Sequence, residues 1–173
     1  MGRIGQAGMA GLALALALAQ TVGAGAGAHT GDPEVAAAEA EAGAEAPLAP
    51  PRVLSQRDAA RLRGLQGITL QWISWDKRGE ASVTIDEAGL WRLHGSQSGA
   101  DGAVLVVDGT ITEIGPDYFI LEGAITIANT PDAGRSCEGQ GTWRFAVTQN
   151  RQYYRLRTFE WCDYLTDYID LYF

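Results

Sequence analysis

The residues in this chain that could carry chemistry are few, and the two cysteines give the clearest signal. Cys137 and Cys162 are the whole cysteine content. The segments that begin and end with them form an antiparallel hairpin if Gln149 and Asn150 make the turn, because Asn tolerates the positive φ that such turns require. This register places the cysteines directly opposite each other, at a separation that a disulfide spans. The sequence therefore predicts a Cys137–Cys162 disulfide, which is typical of an oxidising compartment.

Residues that could catalyse a reaction are sparse. The chain has two histidines, His29 and His94, and its sequence contains no Ser-centred elbow, glycine-rich phosphate loop, His-x-x-x-His or Cys-x-x-Cys motif. Asp163, Asp167 and Asp170 are close together in sequence but lack the ligand spacing and glycine of a calcium loop. We therefore predict no enzymatic activity, no metal and no cofactor, and we assign these aspartates to solvated turn and strand positions.

The register of the cysteine hairpin also predicts which aromatic side chains face inward. Phe145 lies opposite Tyr154 and Trp143 lies opposite Leu156, so apolar residues share one face. Inward aromatic residues of a small barrel either fill its core or line a ligand cavity at its mouth. The candidate ligand-binding residues are Trp72, Trp91, Trp143, Phe145 and Tyr154.

The outer face of the same hairpin is rich in arginine. On the predicted register Arg144 lies opposite Arg155, with Arg151 and Arg157 nearby. Like charges directly opposed destabilise a sheet unless something compensates them. Two interpretations stay open: the guanidinium groups pair with carboxylates of the last strand, such as Asp170, or they bind an anion or an acidic partner.

Residues 1–28 have the pattern of a secretory signal peptide. Arg3 provides the positive start, residues 12–18 alternate Leu and Ala, and the small residues at 26–28 fit the cleavage rule. The apolar run is too short to span a bilayer as a permanent helix. No cysteine lies near the cleavage site, which argues against a lipoprotein anchor. We expect export to the periplasm or the medium.

Residues 29–51 differ in composition from the rest of the chain. They are rich in Ala, Gly and Pro, with five acids and no Lys or Arg, and have too little apolar surface to offset the entropy of ordering. We predict a disordered acidic linker there and a single domain over 52–173. That domain has twelve basic and sixteen acidic residues, a net charge of −4. A nucleic-acid partner is disfavoured, because it would require a basic surface.

The domain is predicted to be almost wholly strand and turn after a short helix. Ser55-x-x-Asp58 resembles a capping box and predicts a helix that ends near Gly64 or Gly67. Eight segments of alternating apolar and polar residues follow, the first over 68–75. Eight antiparallel strands can close into a barrel, which removes exposed sheet edges. We therefore predict an all-β fold, an eight-stranded antiparallel meander barrel with a short N-terminal helix; an open β-sandwich is the alternative.

Two connections in the middle of the domain can be predicted from strand pairing. A three-residue turn at 114–116 sets Ile111 against Phe119 and puts small residues opposite large ones on the inward face. A strict two-residue loop at Asp101-Gly102 would instead set Trp91 against Thr112, which is apolar against polar. We expect a longer loop or a bulge at that second connection.

Three segments resemble small exported bacterial proteins of unassigned function over residues 67–173. They are 70–75 (Leu-Gln-Trp-Ile-Ser-Trp), 150–156 (Asn-Arg-Gln-Tyr-Tyr-Arg-Leu) and 166–173 (Thr-Asp-Tyr-Ile-Asp-Leu-Tyr-Phe). This resemblance implies no active site. The helix followed by a Trp-bearing first strand also resembles the lipocalin (calycin) barrels, which implies a lipocalin-like ligand site. Gly67 lies five residues before Trp72, so that family's Gly-x-Trp is absent.

The function that we expect is that of an exported, non-enzymatic binding protein whose barrel mouth holds a small apolar or amphipathic ligand. The alternative is a protein-interaction module, such as an exported inhibitor or envelope-assembly factor, acting through loops or the arginines; a hydrolase comes third. Residues 168–173 resemble the closing strand of an outer-membrane barrel. Arg144, Arg155 and Arg157 would interrupt the apolar band of about 25 Å that lipid requires, so we predict that the protein is not inserted in a membrane.

Overall fold

The computed structural model describes residues 48–173. The predicted signal peptide and residues 29–47 of the predicted linker lie outside the described residues. The described part contains one α-helix, one 3-10 turn and nine strands. These elements are β1 (Arg52–Val53), α1 (Gln56–Arg63), β2 (Gly67–Leu70), β3 (Glu80–Ile85), β4 (Trp91–Ser98), the 3-10 turn (Ala100–Gly102), β5 (Val104–Gly115), β6 (Tyr118–Ala128), β7 (Ser136–Ala146), β8 (Tyr153–Leu156) and β9 (Ile169–Tyr172).

The strands form one sheet that curls into a nearly closed barrel of eight antiparallel strands. Their order is β2-β9-β8-β7-β6-β5-β4-β3, so β3 to β9 form a meander. The outermost strands meet where Ile68 and Gly79 exchange backbone hydrogen bonds of 3.1 and 2.8 Å. The short strand β1 pairs in parallel with the end of β5. The predicted barrel with a leading helix is confirmed.

The interior of the barrel is filled by the inward side chains of the strands. On β4, β5 and β6 the apolar residues alternate with outward polar ones, as the period of a half-buried strand requires. Leu105, Leu121 and Ile125 are completely buried. Burial of an aliphatic side chain of this size contributes about 1.5–3 kcal/mol, so this face supplies much of the stability of the fold.

The helix begins and ends where the sequence predicts. The Ser55 hydroxyl caps it by accepting a 3.2 Å hydrogen bond from the Asp58 N–H, and the helix ends at Arg63, just before Gly64. Ala59 and Leu62 are buried against the barrel. The helix therefore covers one end of the barrel with its apolar side.

The register of the β7–β8 hairpin differs from the predicted one by two residues. Gln149 and Asn150 form the predicted turn, with φ values of 56° and 55°, but Phe145 pairs with Leu156 and not with Tyr154. A two-residue shift keeps every side chain on its predicted face. Phe145 and Tyr154 are accordingly both completely buried.

The disulfide is present, although the two cysteines do not face each other across paired strands. β8 ends at Leu156, and Cys162 lies in the following loop of residues 157–168. Cys162 is bonded to Cys137 on β7, with 5.7 Å between the Cα atoms. The disulfide thus ties a loop to the sheet.

Pairing in the β5–β6 hairpin also differs from the predicted register. Ile111 pairs with Leu121 rather than with Phe119, because a bulge at Thr112 shifts the pairing and the turn has two residues. The second turn residue, Asp117, has a φ of 61°, a conformation that aspartate tolerates better than most residues.

The longer connection predicted between β4 and β5 is confirmed. Residues 99–103 form it, around the 3-10 turn Ala100–Gly102, and Trp91 pairs with Ile111. This pairing is the apolar match that a two-residue loop would have prevented.

The first long strand is shorter than predicted. The N–H groups of Ile73 and Ser74 both donate to the Leu70 carbonyl, at 3.0 and 3.1 Å, and turn the chain out of the sheet. Trp72 and Trp75 consequently lie in a loop and are 36% and 44% exposed. The prediction that Trp72 faces the interior is wrong.

Candidate functional site

The two ends of the barrel are built differently. Helix α1 covers one end, while the other end, which we call the mouth, carries four loops. These loops comprise residues 71–79, 99–103, 129–135 and 157–168.

A cleft of about 320 Å³ opens between three of the mouth loops. Its volume lies at the lower end of the range of about 300–1,000 Å³ that is usual for small-molecule sites. The lining residues are Trp72, Ile73, Gly99, Ala100, Asp101, Ala103, Asn129, Thr130, Pro131 and Ala133.

Trp72 is the one predicted ligand-binding residue that lines this cleft. Its indole N–H donates a 3.0 Å hydrogen bond to Asp167 Oδ1, and its carbonyl accepts a 2.9 Å hydrogen bond from the Thr130 hydroxyl. Both the ring and the backbone of Trp72 are therefore held in place while part of the side chain stays exposed.

A buried guanidinium organises the loops around the cleft. Arg135 donates to both oxygens of Asp163, at 2.8 and 3.0 Å, and to both oxygens of Asp167, at 3.1 and 2.9 Å. Its remaining N–H donates to the Thr130 carbonyl at 3.0 Å. All five guanidinium N–H groups are thus used, which is the full donor capacity of an arginine.

The charges in this network stabilise one another. Burial lowers the pKa of Arg135, but hydrogen bonds to Asp163 and Asp167 outweigh burial and raise it overall. Hydrogen bonding to Arg135 lowers the pKa of Asp163. Asp167 and Asp170 are completely buried, so the prediction of solvated turn and strand positions is wrong for both.

A buried glutamine holds the 71–79 loop from inside the mouth. Gln97 accepts a 2.6 Å hydrogen bond from the Leu70 N–H. Its amide donates to the carbonyls of Ser74 and Lys77, at 3.0 and 2.7 Å. Gln97 occupies an inward position of β4, on the same face as Leu93. Buried polar groups are hydrogen-bonded, so a glutamine at this position of the sequence indicates a structural role for its side chain.

The other predicted ligand-binding residues lie in the core. Trp91, Trp143, Phe145 and Tyr154 are all buried. The Trp143 indole N–H donates to the Gly123 carbonyl at 2.8 Å, and the Phe145 ring is stacked on a neighbouring phenylalanine ring, with centroids 5.0 Å apart. These side chains fill the barrel below the mouth.

The predicted arginine surface divides into a paired residue and three stacked ones. Arg155 binds Asp170 through two hydrogen bonds of 2.6 and 2.7 Å, so the interpretation that the last strand supplies a carboxylate is confirmed for this residue. Arg144, Arg151 and Arg157 lie over aromatic rings, at 3.8, 5.7 and 4.8 Å from the ring centroids.

The predicted opposition of Arg144 and Arg155 is wrong. The Arg157 N–H donates to the Arg144 carbonyl at 2.9 Å, and Arg155 pairs with Ala146. The two-residue shift in the β7–β8 register, which pairs Phe145 with Leu156, also separates Arg144 from Arg155.

The chain belongs to the PM1083 family, which matches residues 50–173. A relative from Pasteurella multocida (strain Pm70), described as "Uncharacterized protein PM1083", is 36% identical over 132 residues, 75% of this chain and 84% of the relative. No solved structure matches the chain. The resemblance to small proteins of unassigned function is thereby confirmed, whereas the resemblance to lipocalins stays a prediction. Within residues 48–173, no helix combines the length and the apolar character needed to cross a membrane.

Proposed function

We propose that this protein is a non-enzymatic binding protein that takes a small amphipathic ligand in the mouth cleft. The observation that carries the proposal is the cleft itself, bordered by a partly exposed tryptophan on loops that a buried Arg135 network holds together. A site built on fixed loops loses little entropy when it binds, which favours affinity.

The residues near the cleft support a binding role over a catalytic one. Asp163 and Asp167 are occupied by Arg135, so neither carboxylate is free to act as a general base. His94 lies exposed on the outer face of β4, where it contacts Asp108 at 3.0 Å. A general base must reach the reacting group, and His94 is not among the residues that line the cleft.

The proposed location is the periplasm or the medium. The Cys137–Cys162 disulfide supports it, because such bonds persist in oxidising compartments.

Titration with N-phenyl-1-naphthylamine, a neutral fluorescent amphiphile, tests the proposal. We expect its fluorescence to rise saturably with the unmodified protein and the affinity to fall about tenfold in Trp72→Leu, because a large aromatic contact surface is lost. Trp75→Leu is the matched control, since Trp75 is also an exposed tryptophan of the 71–79 loop but lies outside the lining of the cleft. The absence of saturable binding, or equal losses in both variants, would overturn the proposal.

A second candidate function is recognition of an acidic partner by the outer face of the β7–β8 hairpin. Arg144 and Arg157 are neighbours there, both are exposed, and neither forms an ion pair with a described residue. Two adjacent cations without a carboxylate favour an anionic partner.

A synthetic peptide of residues 29–47, which is acidic and lacks Lys and Arg, provides the test of this second function. We expect salt-sensitive binding that is lost when Arg144→Glu is combined with Arg157→Glu. Arg92→Glu, on the outer face of β4, is the control. Equal binding by all three proteins would rule out the arginine surface as the site.

A further inference from the structure

We infer that the ligand of the mouth cleft is a cation, namely an amine or quaternary ammonium group attached to an apolar body. This inference rests on the proposed function and adds the charge of the ligand to it. It depends on the single charged residue in the lining of the cleft and on the tryptophan that shares the lining.

The charge of the cleft comes from Asp101. Among the ten residues that line it, Asp101 is the one with an ionisable side chain. Asp101 is exposed and forms no ion pair with any residue of 48–173. A concave site with an unpaired carboxylate attracts a ligand of opposite charge.

The loop that carries Asp101 is held by backbone hydrogen bonds. The Gly99 N–H donates to the Ala103 carbonyl at 2.8 Å, which closes the loop at its base. The Asn129 side chain donates to the Gly102 carbonyl at 3.2 Å and links this loop to the next one. The backbone that carries Asp101 is therefore held at the cleft.

Arg135, which lies beside the cleft, does not cancel the negative charge that Asp101 gives to it. Arg135 is bound by two carboxylates, those of Asp163 and Asp167, so the group carries a net charge of −1. Its side chain is only 6% exposed. An anionic ligand would thus meet a negative field and no available guanidinium donor.

Trp72 provides the second part of a cation site. An ammonium group binds favourably over the face of an indole ring, and tryptophan is the best of the aromatic side chains for this interaction. Because the indole N–H of Trp72 is hydrogen-bonded to the Asp167 carboxylate, the ring is both oriented and made richer in electrons. The apolar body of the ligand would contact the neighbouring lining residues Ile73 and Pro131.

Three probes with one apolar chain and different charges test the inference. Isothermal titration calorimetry at low ionic strength measures the affinity of the purified protein for octyltrimethylammonium, octanol and octyl sulfate. We expect the ammonium compound to bind at least about fivefold more tightly than octanol, and octyl sulfate to bind most weakly, in line with the strength of an exposed charge pair and a cation–π contact.

Two variants assign the preference to Asp101. Asp101→Asn should remove most of the preference for the ammonium compound over octanol. Asp132→Asn is the matched control, because Asp132 is an exposed aspartate of the 129–135 loop that does not line the cleft.

The outcomes separate this inference from the proposed function. If all three probes bind equally and Trp72→Leu weakens each of them, the cleft binds amphiphiles but the inferred charge preference is wrong. A preference that survives in Asp101→Asn also contradicts the inference. If none of the probes binds, both the inference and the proposed function fail.

Discussion

The hydroxyl group of Tyr154 donates a 2.6 Å hydrogen bond to Asp58 Oδ1. Both residues are completely buried, and they join the start of β8 to the first turn of α1. Asp58 also accepts hydrogen bonds of 2.5 Å from the Ser55 hydroxyl and 3.0 Å from Arg61. The helix is therefore attached to the barrel by a satisfied polar network as well as by apolar packing.

Loss of the Tyr154 hydroxyl should destabilise the fold. Tyr154→Phe leaves a buried carboxylate with one donor fewer, and we expect the free energy of unfolding to fall by about 1.5–3 kcal/mol. Urea unfolding followed by circular dichroism measures the change. Tyr164→Phe is the control, because Tyr164 is 99% exposed and its hydroxyl can be hydrated. Equal stability of the two variants would contradict the role assigned to the hydrogen bond.

The Asp58 carboxylate should make stability depend on pH in the acid range. Burial raises the pKa of Asp58, but hydrogen bonds from Ser55, Tyr154 and Arg61 outweigh burial and hold it well below its ordinary value. A group whose pKa is lower in the folded state contributes stability above its unfolded pKa, about 3.9, and this contribution is lost as the pH falls.

Comparison of the unmodified protein with Asp58→Asn measures this contribution. The difference in the free energy of unfolding should be largest above about pH 5 and should shrink as the pH falls below about 4. Stability curves that run parallel from about pH 6 to pH 2 would show that Asp58 does not titrate with folding.

Removal of the Arg135 guanidinium should damage both the fold and the cleft. Arg135→Leu leaves Asp167 completely buried without its cation, and breaking one side of a buried pair costs about 3–5 kcal/mol. Thermal unfolding measures the loss. Arg157→Leu, which removes an exposed arginine of the neighbouring loop, should cost less than about 1 kcal/mol.

A conservative variant separates the charge of Arg135 from its geometry. Arg135→Lys keeps the cation but supplies three donors in place of five. We expect it to fold, with lower stability and a more mobile Trp72, which would appear as a change in tryptophan fluorescence anisotropy that is absent when the same substitution is made in the Trp72→Leu background. If Arg135→Lys matches the unmodified protein in both respects, the five-donor geometry is unimportant.

Two inward glycines should respond differently to a methyl group. A Cβ atom added at Gly123 would collide with the Asp108 carbonyl and would lie 2.5 Å from the Gly109 Cα, whereas one added at Gly141 would meet nothing nearer than Trp143 at 3.8 Å. We expect Gly123→Ala to cost about 1–3 kcal/mol or more and Gly141→Ala to cost much less. The midpoints of urea unfolding give the comparison. Similar midpoints would mean that the backbones of β5 and β6 can separate freely.

Several local features of this protein were predictable because they depend on nearby residues. The alternation of Trp143 and Phe145 with polar neighbours set the inward face, and it survived a two-residue error in register because side chains repeat with a period of two. Positive φ values at Gln149 and Asn150 follow from turn chemistry.

The cleft was not predictable in the same way. The sequence assigns Trp72 to a strand because apolar residues continue through 68–75. Nothing in that pattern shows that the Leu70 carbonyl accepts two hydrogen bonds and ends the strand. Arg135 is paired with Asp167, and Gln97 is hydrogen-bonded to the 71–79 loop, only because segments distant in sequence meet at the mouth. Their partners therefore could not be predicted from spacing.

By itself, the sequence determined the fold class, the helix and the inward faces of the strands, because periodicity, capping and residue type act over a few neighbouring residues. It also determined the disulfide partners, because Cys137 and Cys162 are the whole cysteine content. Tertiary structure alone decided which strand ended early, which carboxylates became buried and where the cleft opened. Those outcomes depend on which loops the closing barrel brings together and on whether each buried charge finds a partner there.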